Sequence, residues 1–133
     1  MQNRKLLNIE LGRVSAAEYK ELPETGLVVV LDNIRSAHNV GSAFRTADSF
    51  KIDKVWLCGI CAVPPSAEIH KSALGAEDSV EWEHVQDTMD AIRRLKEEGY
   101  TIVSAEQTSQ SVMLDKFVPQ EGRKYAVVFG NEV

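Results

Sequence analysis

Apolar residues in this chain fall into short runs separated by polar helical patterns, and the alternation itself predicts an architecture. Leu27-Val28-Val29-Val30-Leu31 is continuous rather than alternating, which marks a strand covered on both faces and hence a parallel sheet. Further strands are predicted at Lys54–Cys58, briefly at Val80–Trp82, at Tyr100–Ala105 and at Tyr125–Phe129. Between the first two, Val40, Ala43, Phe44, Ala47 and Phe50 share one helical face, with Asn39 placed to cap the first turn. Pro64-Pro65 break the chain, a helix is predicted over Ser66–Leu74, and Gly75 ends it. The clearest helix covers Asp87–Glu98, with Val85, Met89, Ile92 and Leu95 marking its buried side and Gly99 its stop. Ser15-Ala16-Ala17-Glu18 has a capping-box pattern for a short helix that Pro23 terminates. The whole reads as an α/β fold, a mainly parallel sheet flanked by helices. Residues 25–133 form its one domain, and residues 1–24 are an N-terminal extension.

Composition adds boundaries. The 133 residues, 44% hydrophobic and 26% charged, suit one globular domain with a real core. No apolar run approaches the roughly 18 residues of a membrane span, and residues 1–14 lack the apolar segment of a signal peptide. A cytoplasmic protein is expected. The net charge of −5 is unevenly spread, with 7 basic against 6 acidic residues over 1–51 and 8 against 14 over 52–133. No polybasic nucleic-acid surface of the obvious kind is present, so any nucleic-acid contact is expected to be local or to use residues not present in this chain.

In parallel α/β sheets ligands bind beyond the carboxyl ends of the strands. Asp32-Asn33, Glu106-Gln107 and Gly130-Asn131-Glu132 all occupy that position. The densest polar cluster follows the first strand, from Asp32 through Arg35, His38 and Asn39 to Gly41, Arg45 and Asp48. A helix starting there offers unpaired N–H groups to an anion, and Gly41 admits a ligand or a second backbone at close range. The cluster lacks the glycine pattern of a dinucleotide site and the Gly-Lys-Ser/Thr of a P-loop. Each residue also has a plain structural reading. Arg45, about 140° round the helix from Val40 by the 100° per residue rule, is a surface arginine within reach of Asp48. Asn39 is a cap, Asn33 a turn former, Asp32 a strand end. Cys58-Gly59-Ile60-Cys61 has redox spacing, but it follows a strand instead of opening a helix and has no second ligand pair for zinc.

The stretch Asn39-Val40-Gly41-Ser42-Ala43-Phe44-Arg45-Thr46-Ala47-Asp48, after the strand and Asp32-Asn33, resembles the first motif of SpoU/TrmH-type RNA ribose methyltransferases of the SPOUT superfamily. Phe129-Gly130-Asn131-Glu132 resembles the start of that family's second motif, and Lys71-Ser72-Ala73-Leu74-Gly75-Ala76 a recurring segment between them. The resemblance runs from about Leu27 to Val133. It implies a SPOUT-like fold whose C-terminal knot-forming segment is missing from this chain. It also implies S-adenosylmethionine (SAM) as cofactor, tRNA or rRNA as substrate through a ribose 2′-hydroxyl, and a homodimer. Carried over by motif, Arg45, Asn39 and Glu132 would serve catalysis. By position, Ala105, Glu106 and Gly130 would touch cofactor, and Arg35 would meet RNA phosphate. No metal is implied.

Two other classes stay open on the residues alone. One is a non-catalytic module that binds RNA or phosphate. The other is an unrelated doubly wound phosphate-binding protein. A sheet deprived of a central strand would expose backbone groups, so marginal stability or aggregation is a further expectation.

Overall fold

The computed structural model describes residues 25–105 and 120–130. The helix expected near Ser15, the loop and turn expected over 106–117, and Glu106 and Glu132 lie outside the described residues. Nine elements follow one another: β1 (Leu27–Asp32), α1 (Ala37–Ser49), β2 (Lys54–Cys58), α2 (Ala67–Ala73), α3 (Ala76–Ser79), β3 (Trp82–Val85), α4 (Thr88–Glu97), β4 (Tyr100–Ser104) and β5 (Lys124–Phe129). The five strands are all parallel and stand in the order β3-β2-β1-β5-β4. β5 is therefore internal, with Val127 paired to both Val29 and Val103. Among the described strands the sheet has no gap, and its edges are β3 and β4.

Strand periodicity divides the core in two. Leu31 of β1 with Val55 and Leu57 of β2 packs under α1, α2 and α3, joined by Val40, Phe44, Ile69 and Ala73. Val28, Val30, Trp56, Cys58, Ala126 and Val128 point the other way, onto Ala91 and Leu95 of α4. The helices of the β1-to-β3 run thus lie on one face, and the helix returning to β4 lies on the other. Parallel crossovers are right-handed almost without exception, so a reversal of strand order must send the connecting helix to the opposite face. The reversal here falls between β1 and β5.

Several local expectations shift. Asn39 is not the cap of α1: Ser36, in extended conformation, accepts the Asn39 N–H on its Oγ at 3.1 Å, so the helix opens earlier than the apolar pattern indicates. Phe50 lies past the helix end and is 71% exposed, and Met89 is 51% exposed while Ala91 takes the buried position. The third strand begins at Trp82, two residues later than expected. Leu74, at φ 54°, ends α2, and Gly75, at φ 96°, opens α3 instead of stopping the helix before it.

Gly41 explains how tightly α1 meets α2. A Cβ there would overlap the Ser72 hydroxyl and the Ile69 carbonyl oxygen, and Ser72 Oγ donates to His38 O at 2.8 Å across the same contact. Close approach is real, and the second party is a backbone. Below it, the Glu77 carboxylate is only 8% exposed and pairs with His70 Nδ1 at 3.0 Å. Burial raises its pKa, but hydrogen bonds from its own N–H, from His70 and from the Gly75 N–H outweigh that and hold it below the usual carboxylate range.

Gly41→Ala is expected to destabilise the fold by about 1–3 kcal/mol through overpacking, despite a helix-propensity gain of up to about 1 kcal/mol, measured by urea denaturation. Glu77 carries a sign for pH. Its depressed folded pKa means that its contribution is complete above the unfolded value of about 4.3 and is lost as pH falls through the folded one. Glu77→Gln should therefore flatten the stability slope below about pH 5, read from denaturation midpoints at successive pH values.

Candidate functional site

A cleft of about 790 Å³ runs along the α1 side of the sheet at the strand reversal, from Leu27 at the start of β1 to the carboxyl ends of β1 and β5. Its floor is apolar: Leu27, Val29 and Leu31 from β1, Val127 and Phe129 from β5. One wall is the β1–α1 connection and one side of α1, contributing Ile34, Arg35, Ser36, Asn39, Ser42 and Thr46. Ala105, just past β4, and Gly130, just past β5, close the rim. This is the crevice where a doubly wound sheet binds its ligand, because neighbouring loops diverge to opposite faces there. Its size lies within the usual range for small-molecule sites, about 300–1,000 Å³.

Four of the sequence-predicted residues, Arg35, Asn39, Ala105 and Gly130, meet in this cleft. Arg35 and Asn39 are both exposed, and with Ser36 doing the capping, the Asn39 amide is left to face the cleft. Arg45 is exposed on α1 but does not line the cleft. It sits about 60° round the helix from Ser42 by the 100° per residue rule, on the flank of the wall. Ser36, Ser42 and Thr46 are lining groups that the sequence reading passed over. Their signal was available in part, since Ser36 stands three residues before the Asn39 N–H that it caps, and Asn39, Ser42 and Thr46 follow helical spacing.

The floor of the connection is held from behind. Asn33, at φ 54°, accepts the Ile60 N–H on Oδ1 at 3.0 Å and donates Nδ2 to Asp32 Oδ1 at 2.8 Å. Thr88 Oγ1 donates to the same Asp32 oxygen at 2.5 Å. The two cysteines belong to this scaffold. Cys61 Sγ takes the Ile34 N–H at 3.2 Å and its thiol donates to Leu31 O at 3.3 Å. Burial, only partly offset by a hydrogen bond with Thr88, pushes the Cys58 thiol up to about 11, with neighbouring Cys61, Asp32 and Asp87 adding to the rise. Both thiols are free and buried. This is the reverse of the electropositive, exposed setting that makes a redox cysteine.

Ser36→Ala should cost about 1 kcal/mol of stability, whereas Asn39→Ala should be close to neutral, in paired urea denaturation curves. For the thiols, Cys58 in the native protein at neutral pH should react with iodoacetamide about a hundredfold more slowly than in the urea-unfolded chain, followed by mass spectrometry.

Comparison with known proteins finds relatives of this chain. The chain is 38% identical over 99 residues to the 23S rRNA (guanosine-2′-O-)-methyltransferase RlmB of Nitrosomonas europaea, covering 71% of this chain and 38% of that protein. An rRNA methyltransferase from Sinorhizobium meliloti superposes with a TM-score of 0.72 at 25% identity, covering 86% of this chain and 44% of the other. An AdoMet-bound rRNA methyltransferase from the same organism gives a TM-score of 0.72 at 24% identity, with 86% and 43% covered. The chain spans less than half the length of the curated relatives it matches. Residues 26–133, from the glycine that opens β1 through the whole described sheet, match the sequence model of the SpoU rRNA Methylase family, and the chain belongs to that family.

Proposed function

We propose that this protein provides the catalytic fold for transfer of a methyl group from SAM to a ribose 2′-hydroxyl of tRNA or rRNA. The observation that carries this reading is the cleft at the strand reversal, where Arg35 and Asn39 on one wall face Ala105 and Gly130 on the rim. Membership of the SpoU rRNA Methylase family supports the chemistry.

The residues present fit the cofactor. An apolar floor of Leu27, Val29, Val127 and Phe129 suits the non-polar faces of a nucleoside, and Ala105 and Gly130 bring main chain to the rim without bulky side chains. Glu106, the residue after Ala105, is placed by sequence to accept ribose hydroxyls of that cofactor. When bound, SAM supplies an electrophilic methyl on a sulfonium.

The remaining work is alignment of the hydroxyl and removal of its proton. The Asn39 amide, freed from capping, holds the RNA ribose or its phosphate in register. Arg35 neutralises a phosphate at the cleft mouth, which fixes position without reading sequence. Arg45 acts from the flank of α1 as a clamp on phosphate or on the developing alkoxide. A guanidinium with a pKa above about 12 is a weak base, so the proton goes elsewhere. Glu132 orients the site. Residues 25–133 act as one methyltransferase domain with residues 1–24 as an extension, the protein works as a homodimer, and it acts in the cytoplasm. No helix among the described residues is long and apolar enough to cross a membrane.

The decisive test is calorimetric titration with S-adenosylhomocysteine of this chain and of the protein as its gene encodes it. Binding by either supports a SAM enzyme. Binding by neither removes the cofactor and leaves a non-catalytic RNA- or phosphate-binding module. Arg35→Ala and Arg45→Ala should each weaken RNA binding and lower the slope of log K against log salt by about one, with S-adenosylhomocysteine affinity unchanged.

A further inference from the structure

We propose that Asn33 is a positioning residue: it tethers the connection that carries Ile34, Arg35 and Asn39 and so sets where that wall of the cleft stands. The proposal rests on the methyl-transfer reading for its consequence, but the tether stands on contacts of its own.

Asn33 occupies the left-handed region at φ 54°, which alone would require only a residue tolerant of that conformation. The side chain does more. Its Oδ1 accepts from Ile60 N at 3.0 Å, its Nδ2 donates to Asp32 Oδ1 at 2.8 Å, and its own N–H reaches Cys58 O at 3.1 Å. One residue therefore stitches the end of β1 to the loop leaving β2. That loop is built to receive it. Gly59 has φ 66°, and a Cβ there would overlap the Asn33 amide.

Gly59 is anchored further out. Its N–H donates to Val85 O at 2.9 Å and its carbonyl accepts from His84 Nε2 at 2.8 Å, both from β3. On the other side, Asp32 Oδ1 also takes the Thr88 hydroxyl at the start of α4. A continuous chain of hydrogen bonds thus runs from β3 through Gly59 and Ile60 to Asn33, Asp32 and α4. Neither Asn33 nor Asp32 lines the cleft, whereas the next three residues, Ile34, Arg35 and Ser36, do. The tether therefore acts on the site through its neighbours. A displacement of about 1 Å in such a wall is enough to cost up to about a hundredfold in rate.

The test uses the protein as its gene encodes it, with Asn33→Gly, which keeps the left-handed backbone and deletes both side-chain bonds, and Asn33→Asp, which keeps the Oδ1 acceptor. Hydrogen exchange is read at the amides of Ile34, Arg35 and Ile60, together with S-adenosylhomocysteine affinity and steady-state methylation of RNA. For Asn33→Gly, exchange at those three amides should rise about tenfold, with β1 and α2 still protected. RNA kcat/KM should fall about tenfold to a hundredfold while cofactor affinity stays within about twofold. Asn33→Asp should lie between this variant and the parent, and decides alone if Asn33→Gly fails to fold. Parent-like exchange at Ile34, Arg35 and Ile60 overturns the tether, and so does an equal loss of cofactor affinity and RNA methylation, which marks a general structural role. If the parent itself neither binds S-adenosylhomocysteine nor methylates RNA, the methyl-transfer reading falls, and the exchange comparison still decides the tether.

Discussion

The handedness of parallel crossovers is the constraint on which this structure turns. Every connection between parallel strands must pass over a face of the sheet and must do so in the right-handed sense. While the chain steps from β1 to β2 to β3, that rule keeps α1, α2 and α3 on one face. When it returns across the sheet to β4, the same rule puts α4 on the other. β1 and β5 end side by side at the reversal, and the cleft opens there, over strand residues that are apolar because the middle of the sheet has to be. The site is thus a consequence of topology before any of its polar groups is considered.

Helix α1 shows how stability and function share one element. Its buried face, Val40, Gly41, Phe44 and Ala47, fits against α2 with no room at Gly41 for a methyl group. That fit fixes the helix in rotation. Asn39, Ser42 and Thr46 then present a polar stripe to the cleft because the opposite side is immobilised. The connection preceding α1 is fixed as firmly, by the Asn33 amide and the Cys61 thiol. A polar wall on a rigid backing loses little freedom when it meets a ligand, which is the usual requirement for precise placement.

Charge follows a similar division of labour. The acidic excess lies in the second part of the chain, and some of it is structural: Glu83 bridges Lys54 and Arg94 beside the buried Trp56, while Glu77 pairs with His70. The half-exposed pairs of Glu83 contribute little individually. Arg35 and Arg45 stand in the part of the chain with no acidic excess, at and beside the cleft. With the net charge negative, attraction of an anion to Arg35 and Arg45 would be local and not the work of a global field.

Local physics made much of this legible in the sequence. A continuous apolar run marks a strand of a parallel sheet, and Leu27–Leu31 is one, with Val28, Val30 and Leu31 buried and Leu27 and Val29 left partly open to the cleft. The helical spacing of Val40, Phe44 and Ala47 likewise had to face a core. Part of the cleft was legible too, because strand ends and a helix start carry Asn39, Arg35 and Gly130 whatever the topology. Periodicity does not tell where a helix stops facing the core, which is why Phe50 and Met89 emerged exposed, and it does not choose between two residues able to cap, which is why Ser36 displaced Asn39. Only the tertiary structure decided that β5 inserts between β1 and β4, that Gly41 serves a helix contact, that Cys61 braces a loop, and that Arg45 stands beside the cleft instead of in it. Each of these depends on partners far away in the sequence or on the direction of a helix face, and such pairings are set by long-range packing that no local pattern records.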